Sequence, residues 1–124
     1  MIAVEFPKSL FISANDRFPP WAEKARRTKA LRTIGMLAAR GTAPVPTPTL
    51  VAVTIHRPRR GTLRDQDNAQ PTWKALIDGL TDAGLWPDDD RHHVLGPVAR
   101  IAPKNRTDDQ YRFEFDFTPM EVPF

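Results

Sequence analysis

The sequence predicts a two-layer α+β domain in which two helices lie on one face of a mixed, roughly four-stranded sheet. Alternating apolar and polar residues indicate strands near both ends of the chain, and two segments between them show helical spacing. The length of 124 residues suffices for one core but not for two. We therefore predict a single domain over residues 1–124, with the order β-α-β-α-β-β. The order of the strands within the sheet does not follow from the sequence.

The first strand and the first helix are predicted from the N-terminal third. Ile2, Val4 and Phe6 alternate with smaller or polar neighbours, and a loop over residues 9–20 follows. Two prolines close this loop and suit the start of a helix that ends at Gly41. The apolar face of this helix is predicted to consist of Trp21, Ala25, Thr28, Leu31, Ile34 and Ala38.

The second strand and the second helix follow a proline-rich connection over residues 41–48. Residues 50–56 are rich in β-branched side chains and form the predicted strand. Pro71 suits the first turn of a helix, and Gly84 suits its end. One apolar stripe on this helix consists of Trp73, Leu76, Ile77 and Leu80.

Two more strands are predicted near the C-terminus. The strand over residues 94–102 is interrupted by Gly96 and Pro97, which favours the edge of the sheet over its centre. The last strand has the clearest alternation in the chain, with one buried and one solvated face. Its buried face is formed by Tyr111, Phe113, Phe115 and Phe117.

The absence of cysteine excludes structural disulfides, thiolate zinc sites and cysteine nucleophiles. It agrees with a reducing, cytoplasmic setting. The chain begins without a basic leader, and no apolar run approaches the roughly 20 residues of a membrane span. We therefore expect a soluble, unexported protein with no membrane partner.

Charge is distributed unevenly along the chain. Residues 1–64 contain twelve Lys or Arg and three Asp or Glu, whereas residues 65–124 contain six and twelve. A basic surface gains affinity for a polyanion by releasing counterions from phosphate, so the asymmetry suggests nucleic acid. The cations of the first helix contact phosphate or form an ordinary solvated face, and the sequence leaves both interpretations open.

Two groups of carboxylates flank the second helix. Asp65 and Asp67 leave an extended backbone on the same side, with Cα atoms about 7 Å apart. Asp88, Asp89 and Asp90 follow the helix, so tertiary packing must bring the groups together. Gathered carboxylates repel one another unless a cation is present, and Mg²⁺ prefers such hard oxygen ligands.

Simpler explanations exist for both acidic groups. Residues 65–68 could form an Asx turn that caps the second helix, and residues 88–90 could be a solvated loop. A calcium-binding loop is excluded, because Gln70 stands where that loop requires glycine. Leu76 stands where it requires a bidentate glutamate.

Three segments in order resemble the RusA family of Holliday junction resolvases. They are RDQDN at residues 64–68, KALIDGL at 74–80 and AGLWPDD at 83–89. In that family an arginine precedes the sequence D-x-D-N, a lysine and an aspartate lie four apart on the next helix, and two aspartates end the following loop. Residues 13–17 and the basic first helix resemble the N-terminal region of the family more loosely.

The resemblance implies a magnesium-dependent endodeoxyribonuclease, with Mn²⁺ as a possible substitute. It implies that Asp65, Asp67 and Asp89 bind the metal and that Lys74 is the catalytic lysine. Lys74 departs from the pattern of the shorter family members, because it follows Asp67 by seven residues rather than four. Both separations are near whole helical turns, so the side chain could keep its direction. The alternative for Lys74 is an ordinary ion pair with Asp78.

The resemblance also implies the partners and the reaction. The substrate would be branched DNA, a four-way junction that a two-fold homodimer cuts by paired nicks with 5′-phosphate ends. Arg57, Arg59, Arg60 and Arg64 would position the DNA backbone. Two alternatives remain: a non-catalytic branched-DNA-binding module of the same fold, and a structure-tolerant nuclease that acts on forks and flaps.

Other side chains near the acidic groups have two interpretations each. One of His92 and His93 could reach the metal or donate a proton, although an ordinary loop histidine is the simpler explanation. Asn68 could orient an aspartate or a water, or cap the second helix. Trp73 and Trp86 could stack on bases, but core packing is favoured.

Overall fold

The computed structural model describes residues 1–15 and 20–121, which form four strands and two helices. These elements are β1 (Ile2–Pro7), α1 (Trp21–Ala39), β2 (Thr49–His56), α2 (Gln70–Asp82), β3 (Val94–Ile101) and β4 (Gln110–Pro119). Short 3-10 helices cover Lys8–Leu10 and Gln66–Ala69. The predicted α+β class and the predicted order of strands and helices are confirmed. Residues 16–19 lie outside the described residues, and so do parts of the predicted loop and of the 13–17 resemblance.

The sheet is mixed, with the strand order β1-β4-β2-β3. β4 pairs antiparallel with both β1 and β2, and β2 pairs parallel with β3. Phe115 lies opposite Ile2 of β1 and opposite Val53 of β2, so apolar residues of three strands share one face. β3 lies at one edge, as its glycine and proline predicted.

Both helices pack on this apolar face and contribute to a single core. The predicted stripe of α2 is confirmed, because Trp73, Leu76, Ile77 and Leu80 are all buried. Trp86 is also buried, and its Nε1 donates a hydrogen bond to Thr81 Oγ1 at 2.7 Å. Trp73 and Trp86 are therefore core residues, as favoured above. Within the described ranges, no helix combines the length and the apolar character needed to cross a membrane.

The predicted apolar face of α1 is largely wrong. Trp21 is 84% exposed, and Ala25, Thr28 and Ala38 are exposed as well. The buried residues of α1 are Leu31, Gly35 and Ala39. Hydrophobic spacing missed this face because two of its three members are small.

Two glycines explain why small residues form the buried face of α1. A Cβ on Gly35 would collide with the carbonyl oxygen of Leu76 in α2. A Cβ on Gly79 of α2 would collide with the carbonyl oxygen of Arg32 in α1. The helix backbones therefore touch where they cross, and the Arg32 guanidinium joins them again through the Asp82 carboxylate, with Nη2–Oδ1 at 2.7 Å. This crossing fixes the position of α2 above the sheet.

Gly79→Ala tests the close crossing. An alanine in an open helix is more stable than glycine by about 1 kcal/mol. Here we expect the opposite sign, a loss of about 1–3 kcal/mol in the free energy of unfolding, because the methyl group meets backbone that cannot move aside. Urea denaturation measures the change, with Gly35→Ala as a second variant. A gain in stability for both variants would contradict the backbone contact.

Candidate functional site

Asp65 and Asp67 lie in the turn that leads into α2. Asp65 is extended and is the N-cap of the 3-10 helix, where its Oδ1 accepts a hydrogen bond from the Asp67 backbone N at 2.9 Å. The Asx turn considered above is thus present, but it caps the 3-10 helix. α2 itself begins without a side-chain cap, so Asn68 does not cap it. Both carboxylates are exposed to solvent.

Lys74 connects α2 to the loop that follows it. Its Nζ donates to Asp78 Oδ1 at 2.8 Å, which is the expected pair one helical turn apart. The same Nζ donates to Asp89 Oδ2 at 2.8 Å, although Asp89 lies fifteen residues further along the chain. Tertiary packing therefore brings one distant acid of the RusA-like pattern directly to its lysine.

Ion pairs join the Lys74 cluster, which is formed by Lys74, Asp78 and Asp89, and they shift the pKa values of Lys74 and Asp89. The hydrogen bonds to the Asp78 and Asp89 carboxylates, which accept from Nζ, raise the pKa of Lys74. The hydrogen bond from Lys74 lowers the pKa of Asp89. At neutral pH the cluster consequently contains an ammonium group between two carboxylates, and Lys74 is not a proton acceptor there.

The three predicted metal ligands are not gathered around one point. Among residues 1–15 and 20–121, no group of three Asp, Glu, His or Cys side chains is arranged to hold a metal ion. Asp89 lines a cleft with Gln70 and Lys74, whereas Asp65 lines a different depression. Three carboxylates suit Mg²⁺ chemically, but in this arrangement Asp89 Oδ2 is bonded to Lys74 and lies in a different depression from Asp65.

The two histidines belong to the turn after Asp89. His93 Nδ1 lies 2.8 Å from Asp90 Oδ1, and the His92 backbone N donates to the same oxygen at 2.9 Å. The bond with His93 lowers the pKa of Asp90. These contacts close the turn, which agrees with the simpler interpretation of ordinary loop histidines.

The four predicted DNA-binding arginines have different settings. Arg57 is half-buried, and its Nη1 donates to the Leu63 carbonyl at 3.0 Å, so this side chain links two parts of the same loop. Arg59, Arg60 and Arg64 are exposed. Three of the four side chains are therefore exposed on the loop over residues 57–65, between β2 and the second 3-10 helix, which we call the basic loop.

A groove runs along this loop, and we call it the basic groove. One part, of about 420 Å³, is lined by cations and by aromatic rings, namely Lys8, Phe11, Arg27, Arg59, Arg60 and Tyr111, together with Asp109. A second part, of about 400 Å³, shares Phe11, Thr62 and Tyr111 with the first and reaches Arg64, Asp65 and Asn68. The groove therefore extends along the basic loop to Asp65.

Sequence reasoning missed Lys8, Phe11, Arg27 and Tyr111 as parts of this surface. Lys8 and Phe11 meet Tyr111 because β1 and β4 pair so that Pro7 lies opposite Gln110. Arg27 of α1 joins them through its hydrogen bond to the Phe11 carbonyl. The pairing of β1 and β4 brings the end of the first strand to the start of the last one. No local pattern in the sequence shows it, since the strand order could not be derived.

Comparison with protein-family models and with curated proteins finds no match to the chain. The RusA resemblance accordingly depends on the residues quoted for it. What the geometry adds is an α+β domain with a lysine–aspartate cluster on α2 and a basic groove that ends at a second aspartate.

Arg106→Gln tests how the basic loop is held in place. Asp108 accepts from Arg106 Nε at 2.9 Å and Nη2 at 2.8 Å, and these bonds lower the pKa of Asp108 to about 2. The Asp108 carbonyl in turn accepts from the Arg59 backbone N. We expect the variant to return the Asp108 pKa toward the ordinary value of about 3.9.

Carboxyl ¹³C NMR titration measures this change. Because the folded-state pKa is lowered, the stabilisation is complete above the unfolded pKa and is lost as the pH falls through that value toward 2. Arg100→Gln is the control, since Arg100 bonds to Thr54 instead. An Asp108 pKa that is identical in all three proteins would contradict the ion pair between Arg106 and Asp108.

Proposed function

We propose that this protein is a metal-dependent endodeoxyribonuclease that resolves four-way DNA junctions, similar to the RusA family in fold and site. The observation that carries the proposal is the contact between Lys74 Nζ and Asp89 Oδ2 at 2.8 Å. It joins the helix and the loop of the RusA-like pattern, and the same helix begins directly after the turn that holds Asp65 and Asp67. The turn with Asp65 and Asp67 thus precedes α2, and the loop with Asp89 folds back onto α2.

In this proposal Asp65, Asp67 and Asp89 would hold Mg²⁺, or Mn²⁺ in its place. The ion when bound would act as a Lewis acid on the phosphate and activate a water. A cation on Asp89 would compete with Lys74 for the carboxylate. Release of Lys74 from Asp89 is therefore part of the proposal.

Lys74 would stabilise the negative charge that grows on the phosphate oxygens during hydrolysis. Its raised pKa keeps the ammonium charged at neutral pH, which suits an electrostatic role rather than that of a general base. Arg64 follows Arg59 and Arg60 along the same groove toward Asp65. These arginines would hold the DNA backbone without reading its sequence.

Resolution of a junction requires two cuts, so the proposal includes a two-fold homodimer with two equivalent sites. The resemblance supports this assembly, and the absence of cysteine agrees with a cytoplasmic location. A nuclease of looser specificity would use the same residues on forks and flaps. The cleavage assay therefore has to compare four-way junctions with forks, flaps and linear duplex.

A non-catalytic branched-DNA-binding module is the second candidate, and one observation favours it. In the described part of the chain Asp89 is paired with Lys74 and belongs to no group of three side chains that could hold a metal ion. A protein that kept this ion pair permanently would bind DNA through its basic groove without cutting it.

Cleavage of a labelled, mobile four-way junction in Mg²⁺ separates the two candidates. For the unaltered protein we expect paired, symmetrical nicks with 5′-phosphate ends. Asp67→Asn should lower the cleavage rate at least about 100-fold while junction binding persists, because the change removes a metal ligand and leaves the basic groove intact. Asp116→Asn is the matched control, since Asp116 is an exposed carboxylate of β4.

Gel electrophoresis under denaturing and native conditions reads cleavage and binding separately. Forks, flaps and linear duplex of the same sequence show whether the junction is preferred. Cleavage that survives in EDTA, or an Asp67→Asn variant as active as Asp116→Asn, would exclude the assigned site. Junction binding without any nick in Mg²⁺ or Mn²⁺ would favour the non-catalytic module.

Substitutions of Lys74 test its electrostatic role. We expect Lys74→Gln to lower the cleavage rate about 100-fold at pH 7 to 9 with little change in junction affinity, because its charge matters mainly in the transition state. Lys74→Arg, which keeps the charge, should retain more activity. Single-turnover rates measure both variants, and equal rates for Lys74→Gln and the unaltered protein would contradict the role.

A further inference from the structure

We propose that the basic groove binds one unpaired DNA strand and leads it toward Asp65, an inference that rests on the proposed function for its link to the cut. The two parts of the groove have volumes of about 420 and 400 Å³, which suit nucleotide-sized groups. The case for an unpaired strand rests on the cations and the aromatic rings that line these parts.

The charges of the groove favour phosphate. Four cations line its first part, against the single carboxylate of Asp109. Asp109 Oδ1 lies 3.6 Å from Arg59 Nη2 and 4.0 Å from Lys8 Nζ, and all three side chains are more than half exposed. Exposed pairs of this kind contribute little, so both cations can turn to a phosphate.

The partly exposed Phe11 ring, backed by the buried Tyr111 ring, offers a surface for a base. The Phe11 and Tyr111 rings are stacked, with centroids 4.5 Å apart and planes 15° apart. Phe11 is partly exposed, and both rings line both parts of the groove. Burial raises the pKa of Tyr111, so the phenol adds no negative charge at neutral pH. A basic channel with aromatic rings is the usual arrangement for binding single strands without sequence preference.

The loop that bears Arg59 and Arg60 is held in a costly conformation. Arg60 has a φ of 60°, in the left-handed region that side chains other than glycine rarely adopt. The Gly61 backbone N donates to the Pro58 carbonyl at 2.9 Å, and Asn105 Nδ2 donates to the Gly61 carbonyl at 3.1 Å. Strain that the surroundings enforce in this way is characteristic of binding sites.

Hydrogen bonds also hold the part of the groove formed by Arg27 and Phe11. Arg27 Nη1 donates to the Phe11 carbonyl at 3.2 Å, which ties α1 to the segment beside the aromatic rings. In the next residue, the Ile12 backbone N and carbonyl both bond to Thr72 Oγ1 at 2.9 Å. The groove is therefore built before any strand enters it, which lowers the entropic cost of binding.

Fluorescence anisotropy with a labelled twelve-nucleotide oligothymidine, in EDTA and low salt, tests the groove without any metal. We expect the Arg59→Ala/Arg60→Ala double variant to weaken binding at least tenfold. Lys24→Ala/Lys29→Ala removes the same charge from a depression of α1 outside the groove, and it should weaken binding less than threefold. A labelled duplex of twelve base pairs should bind the unaltered protein at least tenfold more weakly than the single strand.

Arg60→Gly distinguishes a loss of binding from a loss of folding. Glycine relieves the left-handed backbone and removes the charge together. We expect it to weaken single-strand binding while the thermal midpoint stays the same or rises. Equal losses in the groove and control double variants, or duplex binding as tight as single-strand binding, would overturn the inference.

The cleavage assay in Mg²⁺ separates this inference from the proposed function. Groove-dependent binding in EDTA without nicks in Mg²⁺ or Mn²⁺ would support the groove and contradict the nuclease. Symmetrical nicks together with binding that ignores the groove substitutions would support the nuclease and contradict the groove.

Discussion

The backbone contact between α1 and α2 determines where the candidate site lies. Gly35 and Gly79 let the two helices meet without intervening side chains, so the position of α2 above the sheet has little freedom. The apolar side of α2 is buried in the core, and its polar side is left to carry Lys74 and Asp78. Because the loop after α2 returns along this polar side, Asp89 can reach Lys74.

The ion pairs of Lys74 give the site two possible states. With both carboxylates bound to the one ammonium, the cluster keeps an excess of negative charge and attracts no phosphate. If a cation binds Asp89, Lys74 keeps only its bond to Asp78 and can turn toward a phosphate, and the cation offsets the repulsion among the acids. The basic groove is separate from that exchange, since neither Lys74 nor Asp89 lines either of its two parts.

Much of the fold could be predicted because it depends on local patterns. Alternation predicted β1 and β4, helical spacing predicted α2, and a glycine with a proline placed β3 at the edge. The face of α1 could not be predicted, because a glycine that touches another backbone has no hydrophobic signature. The same limit applies to the site: the sequence suggested Asp89 and Lys74 separately, but their contact and the groove beside Tyr111 depend on strand order and helix crossing.

Carboxyl ¹³C NMR during a Mg²⁺ titration observes the acids themselves without DNA, and ¹⁵N NMR observes the Lys74 ammonium group in the same samples. For a shared metal site we expect the signals of Asp65, Asp67 and Asp89 to shift together with one saturating affinity, the Lys74 signal to move with them, and the Asp116 signal to stay unchanged. Shifts of the three acids that are no larger than that of Asp116 and do not saturate would contradict a shared metal site.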